Sequence, residues 1–151
     1  MSTQLSVPIG TQPAYDGHVD AEVFEVLSPD TTNPTNHIRT TQNWGVRVKW
    51  ETYGSMVPFL VDEFRVRAYV EGFGNLPEFI SPPVTVNTMA GALVGASRRY
   101  SADINFVAGA LPAGVYKLAV LVQLFDDAPG TNPYPIVAAV DLPLVTLFTP
   151  A

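Results

Sequence analysis

Apolar and polar residues alternate along most of the chain. In the segment NWGVRVKWE, residues Trp44, Val46, Val48 and Trp50 fall on one side, and the residues between them are glycine or charged. Because successive side chains of a strand point to opposite faces, this period of two predicts a strand with one buried face. The same pattern predicts strands over residues 19–27, 43–51, 62–71, 83–88, 99–107, 115–125 and 136–148.

Turn-forming residues separate these segments. The fourteen prolines and eleven glycines fall mainly between them, in stretches such as SPDTTNPTN and DDAPGTNPYP. We therefore predict one all-β domain over residues 18–151, an antiparallel sandwich of about seven strands. Residues 1–17 are predicted to form an extended N-terminal arm, and residues 28–43 a long polar loop. Pro143 predicts an edge strand or a bulge within the last segment, because proline cannot donate to a sheet ladder.

The predicted strand over residues 115–125 has a second apolar face. Its inward side is apolar at every position. Its other side is also half apolar, where a solvated face would normally be polar. The last segment has the same property, and we expect the two to be neighbours. The predicted outer apolar surface consists of Ala119, Leu121, Phe125, Val137, Ala139, Val145 and Leu147.

Three explanations compete for what covers this surface, since monomers rarely leave a large apolar patch in water. The N-terminal arm carries apolar residues of its own and is one candidate. A second copy of the chain and a different protein are the other two. The residues that the arm would contribute are Leu5, Val7, Ile9 and Tyr15.

Composition and charge narrow the functional classes. Charged residues make up 15% of the chain, against about 25% in an average soluble domain, so less charge than usual is present to coat an exposed surface. The net charge of −6 argues against binding to nucleic acid, which needs a cationic stripe. The chain contains no cysteine, which excludes disulfides and thiolate metal sites. We expect no membrane insertion, and a location in the cytoplasm or in a particle assembled there.

Few residues are arranged for catalysis. The two histidines, His18 and His37, stand in no metal-binding or nucleophile motif. Asp126, Asp127 and Asn132 offer oxygen ligands of the kind that Ca²⁺ prefers, but the ion needs about six to eight of them. A polar turn is the simpler interpretation. We therefore expect no enzymatic activity, no cofactor and no metal.

The stretch LPAGVYKLAV, residues 111–120, resembles the entry to the penultimate strand of immunoglobulin-like and fibronectin type III-like sandwiches. In those domains a tyrosine hydroxyl bonds back to the backbone, forming a tyrosine corner. The residues to which the resemblance implies structural roles are Tyr116, Leu111, Pro112 and Gly114 at the turn, and Trp44 or Trp50 in the core. The chain lacks the cysteine pair of antibody domains, and other sandwiches or jelly rolls stay open as alternatives.

These observations favour a protein that works by packing against another protein. We expect a non-enzymatic structural or interaction module that self-associates or docks into a larger assembly, such as a particle, tail or fibre. The contacts would come from the apolar sheet faces and the N-terminal arm. The alternative is a ligand-binding sandwich that recognises carbohydrate or calcium at its loop tips.

Overall fold

The computed structural model of the chain describes residues 2–4, 16–27, 31–54, 57, 62–95, 97–125 and 133–151. Most of these residues lie in strands, and Thr88–Ala90 form a turn of 3₁₀ helix. In chain order the strands are β1 (Ser2–Gln4), β2 (Asp16–Leu27), β3 (Thr31–Pro34), β4 (His37–Arg39), β5 (Trp44–Tyr53), β6 (Glu63–Gly72), β7 (Glu78–Ile80), β8 (Val84–Asn87), β9 (Ala92–Val94), β10 (Ser97–Phe106), β11 (Gly114–Phe125), β12 (Pro133–Asp141) and β13 (Val145–Phe148).

The strands form two sheets. In the first sheet the order is β1-β2-β5-β10-β9, and β3 lies on the same edge of β2 as β1. In the second sheet the order is β4-β13-β11-β6-β7, with β12 continuing the line of β13 beside β11 and β8 continuing the line of β7 beside β6. Within the described residues every pairing is antiparallel except that of β4 with β13, which is parallel. The predicted all-β class is confirmed.

The inner faces of the two sheets form one core. Its inward residues alternate along each long strand, as the period of two requires. Aromatic rings cross from sheet to sheet: Phe64 of β6 packs edge-on against Trp50 of β5 and against Tyr100 of β10, with ring centroids 5.5 and 5.1 Å apart. The molecule is therefore a β-sandwich.

The long strands agree with the sequence pattern, but the predicted loop over residues 28–43 is wrong in part. This segment contains β3, which pairs with β2 in the first sheet, and β4, which pairs with β13 in the second. The chain thus crosses from one sheet to the other here, and Ile38 is fully buried. The total exceeds the predicted seven strands because several additional strands have only three or four residues.

Val145 and Leu147 were expected on the outer surface, and this expectation is wrong. Their exposed fractions are 0% and 2%, and both belong to the core. The last predicted strand is interrupted between Asp141 and Val145, where Pro143 has no N–H to donate. The interruption changes the alternation by one residue, so that buried positions are even-numbered in β12 and odd-numbered in β13.

The first described residues of the predicted arm join the first sheet. Ser2–Gln4 pair antiparallel with residues 18–20 of β2. β2 begins at Asp16, two residues before the predicted start of the domain. None of the helical turns among the described residues is long and apolar enough to cross a membrane.

Candidate interaction surface

The outer face of the second sheet is built from every second residue of its strands. Cross-strand partners point to the same side of a sheet, so the register identifies the members of this face. Leu121 of β11 pairs with Arg67 of β6 and with Ala139 of β12, and Ala119 pairs with Tyr69. We call this face the β11 surface; its central members are Arg65, Arg67, Tyr69, Ile80, Ala119, Leu121, Gln123, Phe125, Val137 and Ala139.

The centre of the β11 surface is apolar and accessible to solvent. Leu121 and Ala119 are partly buried, and Ala139 is exposed. Tyr69 and Ile80 have exposed fractions of 37% and 58%. A shallow groove of about 390 Å³ runs beside Tyr69, Ile80 and Ala119. An aromatic ring among aliphatic side chains is typical of the centre of a protein interface.

Two arginines of β6 lie on this surface, and Arg65 covers part of it. The Arg65 guanidinium carbon lies 4.2 Å from the centroid of the Phe125 ring, and its Nε–H donates to Glu63 at 3.1 Å. Arg67 is the cross-strand neighbour of Leu121. Long arginine stems pack on apolar surface while the charged group stays in water. The chain thus supplies some of the cover itself, a contribution that the sequence pattern did not reveal.

Charged residues surround the apolar centre. Glu71, Glu78, Lys117 and Asp141 lie at one end of the surface, and all four are exposed. The other end holds the two arginines and Glu63. An apolar centre with a polar rim is the usual anatomy of a protein–protein interface.

The outer face of the first sheet has a different character, because two of its arginines form ion pairs with carboxylates on the neighbouring strand. Arg47 of β5 donates two hydrogen bonds to Asp103 of β10, at 2.9 and 3.1 Å, and these bonds raise the pKa of Arg47. Arg99 donates to Glu51 at 3.2 Å. Glu22 of β2 lies opposite Arg47 on its other side.

Phe24 is a large apolar residue on the outer side of the first sheet, yet its exposed fraction is only 2%. Its cross-strand partner is Gly45, where the missing Cβ leaves room for the ring. The guanidinium carbon of Arg47 lies 4.9 Å from the ring centroid on this face. The first sheet therefore covers its outward aromatic ring with its own residues.

The turn that enters β11 has the hydrogen bond expected of a tyrosine corner. The Tyr116 hydroxyl donates to the carbonyl oxygen of Pro112 at 2.7 Å, and burial raises the pKa of Tyr116. Leu111 is buried beside it. Gly114 has φ of +154°, and a Cβ there would collide with the side chain of Leu76. These contacts give each of the four turn residues a definite structural role.

Both tryptophans lie in the core. Trp44 stacks on Phe106 with ring centroids 4.3 Å apart, and Trp50 stacks on Tyr100 at 5.3 Å. Their exposed fractions are 3% and 2%. Neither ring is available as a platform for a sugar.

Glu25 is a buried carboxylate that the sequence reasoning missed. Its exposed fraction is 2%, and its Oε2 accepts the backbone N–H of Arg39 at 2.9 Å. The Nη2 of Arg39 lies 3.6 Å from Oε1. Because Arg39 ends β4, this contact ties the first sheet to the second. The alternation of β2 contains the signal, since it places Glu25 on the same inward side as Val23.

Several predicted site residues lie outside the described residues: Leu5, Val7, Ile9 and Tyr15 of the arm, and the calcium candidates Asp126, Asp127 and Asn132. In the ranges that the structure describes, no cluster of three or more histidine, aspartate or glutamate side chains is placed to hold a metal ion. No protein-family model matches the chain, and a search of curated proteins finds no match.

Proposed function

We propose that this chain is an immunoglobulin-like sandwich that acts as a non-enzymatic structural or interaction module. It associates with other protein chains through the β11 surface, by self-association or by docking into a larger assembly. A cysteine-free chain of this kind suits the cytoplasm or a particle assembled there.

The immunoglobulin-like assignment is supported by strand order and by one turn. In constant-type immunoglobulin domains, strands A-B-E-D form one sheet and C-F-G the other. The order β2-β5-β10-β9 and the order β6-β11-β12 fit these two sheets in the same chain sequence. The bond from Tyr116 to Pro112 lies where the tyrosine corner of such domains is found, at the start of the penultimate long strand.

The interaction role is carried by the contrast between the two outer faces. On the first sheet, Arg47 and Arg99 are paired with carboxylates and Phe24 is covered. On the second sheet, Leu121 and Tyr69 form an accessible apolar centre although the Arg65 side chain already lies over Phe125. Tyrosine and arginine are the residue types that most often dominate binding energy at interfaces.

Sedimentation velocity over a concentration series tests this proposal. We expect the purified chain to form a larger species as concentration rises, and Leu121→Asp to abolish it by placing a charge in the apolar centre. Ser101→Asp is the matched control, because Ser101 is an exposed residue on the outer face of the first sheet. A wild-type chain that stays monomeric at every concentration, or a Leu121→Asp variant that still associates, would contradict self-association through this surface.

A further inference from the structure

We infer that the occupant of the β11 surface is a second copy of this chain, packed face to face with its strands antiparallel to those of the first. This inference rests on the proposed function and adds the identity and orientation of the partner. Three features support it: the distribution of charge along the strands, the fit of side-chain sizes, and the area of the face.

Charge is distributed unevenly along the β11 surface. Among the described residues, one end carries Arg65 and Arg67 against one carboxylate, that of Glu63, which leaves one net positive charge there. The other end carries the three carboxylates of Glu71, Glu78 and Asp141 against the single ammonium of Lys117, which leaves two net negative charges. A copy turned end for end brings opposite charges together.

A two-fold axis that lies in the interface, perpendicular to the strands, produces this arrangement. When it passes between the levels of Arg67 and Tyr69, the strand β6 of one copy faces β6 of the other. Arg65 then lies opposite the partner copy's Glu71, and Arg67 lies opposite the aromatic ring at position 69. Both contacts are favourable, the first as an ion pair and the second as a cation–π contact. An axis along the strands would instead gather four arginines at one end and six carboxylates at the other.

The same axis matches large residues with small ones. In the register of β11, Leu121 pairs with Arg67, and Ala119 pairs with Tyr69. Reversal of the strand direction therefore places Leu121 of one copy over Ala119 of the other. A leucine that fills the space above an alanine allows close packing, which a leucine facing a leucine would prevent.

The area of the face fits a weak dimer. Four strand positions about 4.8 Å apart and nine residues at about 3.4 Å each give roughly 600 Å² per copy, or about 1,200 Å² in total. This total lies at the lower limit of specific interfaces, so we expect a dissociation constant in the micromolar range. The dimer would therefore form or dissociate as concentration changes across that range.

Charge reversal tests the orientation. The two-fold axis places residue 65 of each copy opposite residue 71 of the other, so this contact occurs twice in the dimer. In a homodimer of Arg65→Glu both contacts join two carboxylates, and in a homodimer of Glu71→Arg both contacts join two guanidinium groups. Each variant alone should raise the dissociation constant about 10- to 30-fold. An equimolar mixture should recover the affinity of the wild type, because each chain then offers the charge that the other lacks. The double variant Arg65→Glu/Glu71→Arg should also recover.

Arg99→Glu is the matched control. Arg99 lies on the first sheet and donates to Glu51 at 3.2 Å, just as Arg65 donates to Glu63 at 3.1 Å. Its reversal alters the net charge by the same amount and should leave association unchanged. Sedimentation equilibrium of each chain and of the mixture gives the constants, and thermal melts show that each variant is folded.

The outcomes separate the two proposals. Recovery in the mixture supports antiparallel self-association. A mixture that behaves as the average of its components overturns the antiparallel orientation, while the Leu121→Asp comparison can still support self-association through this surface. A wild-type chain that stays monomeric overturns the self-association proposal and the inference together.

Discussion

Replacement of Gly45 by alanine should destabilise the protein, although the change from glycine to alanine within a strand normally does the opposite. A Cβ at position 45 would lie 2.5 Å from the carbonyl oxygen of Ile104 and 2.8 Å from Cζ of Phe24. The Ile104 oxygen belongs to β10, which pairs with β5 along its whole length, so it cannot move without separating two strands. The Phe24 ring can move, but only away from Gly45 and into water.

The magnitude follows from three contributions. Alanine restricts the unfolded chain and would stabilise the fold by about 0.5–1 kcal/mol if it fitted. Overpacking against a backbone atom costs about 1–3 kcal/mol. Partial exposure of Phe24 adds about 1 kcal/mol, a fraction of the value for burying a phenylalanine. The net result is a loss of about 2 kcal/mol, which in a domain of this size lowers Tm by about 4–8 °C.

Urea unfolding and thermal melts of four proteins measure this effect: wild type, Gly45→Ala, Phe24→Ala and the double variant. Without the Phe24 ring, part of the collision disappears, so Gly45→Ala should cost about 1 kcal/mol less in the Phe24→Ala background. A Gly45→Ala protein as stable as wild type, or more stable, would refute the claim that the Phe24 ring occupies the space left by the missing Cβ of Gly45. It would also weaken the contrast between the two outer faces.

Three further predictions concern the turn, alkaline stability and the last strands. Tyr116→Phe removes the hydrogen bond to Pro112 and should lower the free energy of unfolding by about 1 kcal/mol in urea titrations. Burial raises the pKa of Tyr100 and Tyr116 above 10.0, so the unfolded state releases these protons first. These two tyrosines should therefore leave the free energy of unfolding unchanged below pH 10.0 and lower it as the pH rises above that value. In Tyr116→Phe, which keeps only Tyr100, this decrease with pH should be less steep. Val145→Asp should prevent folding, whereas Ala139→Asp should alter stability by no more than about 0.5 kcal/mol, as circular dichroism melts would show.

The long strands could be predicted from the sequence because their inward residues alternate without interruption. β5, β6, β10 and β11 begin and end within two residues of the predicted bounds. The strands β3 and β4 could not be found in this way. Their sequences, TTNP and HIR, have no apolar period. β3 forms because its backbone pairs with the preceding strand β2, and β4 because its backbone pairs with β13, which is distant in the chain.

The candidate surface was only partly predictable for a related reason. The period of two identifies Leu121 and Ala139 as outward residues of neighbouring strands. The contact between Arg65 and Phe125 depends on the register between β6 and β11, which a period does not specify. Val145 was wrongly expected to point outward because the alternation was read as unbroken through Pro143. The chain has one extra residue between β12 and β13, which exchanges the inward and outward positions after it.

Concentration-dependent NMR shows, residue by residue, whether the β11 surface is where the chain meets its partner. Amide shifts would be recorded by ¹H–¹⁵N correlation spectra from about 20 µM to about 1 mM, a range that spans the expected dissociation constant. We predict that the changes cluster at residues 65–71, 117–123 and 137–141, while residues 47–51 and 99–103 of the first sheet keep their shifts. Changes that cluster on the first sheet, or spectra that do not change with concentration, would contradict self-association through the β11 surface.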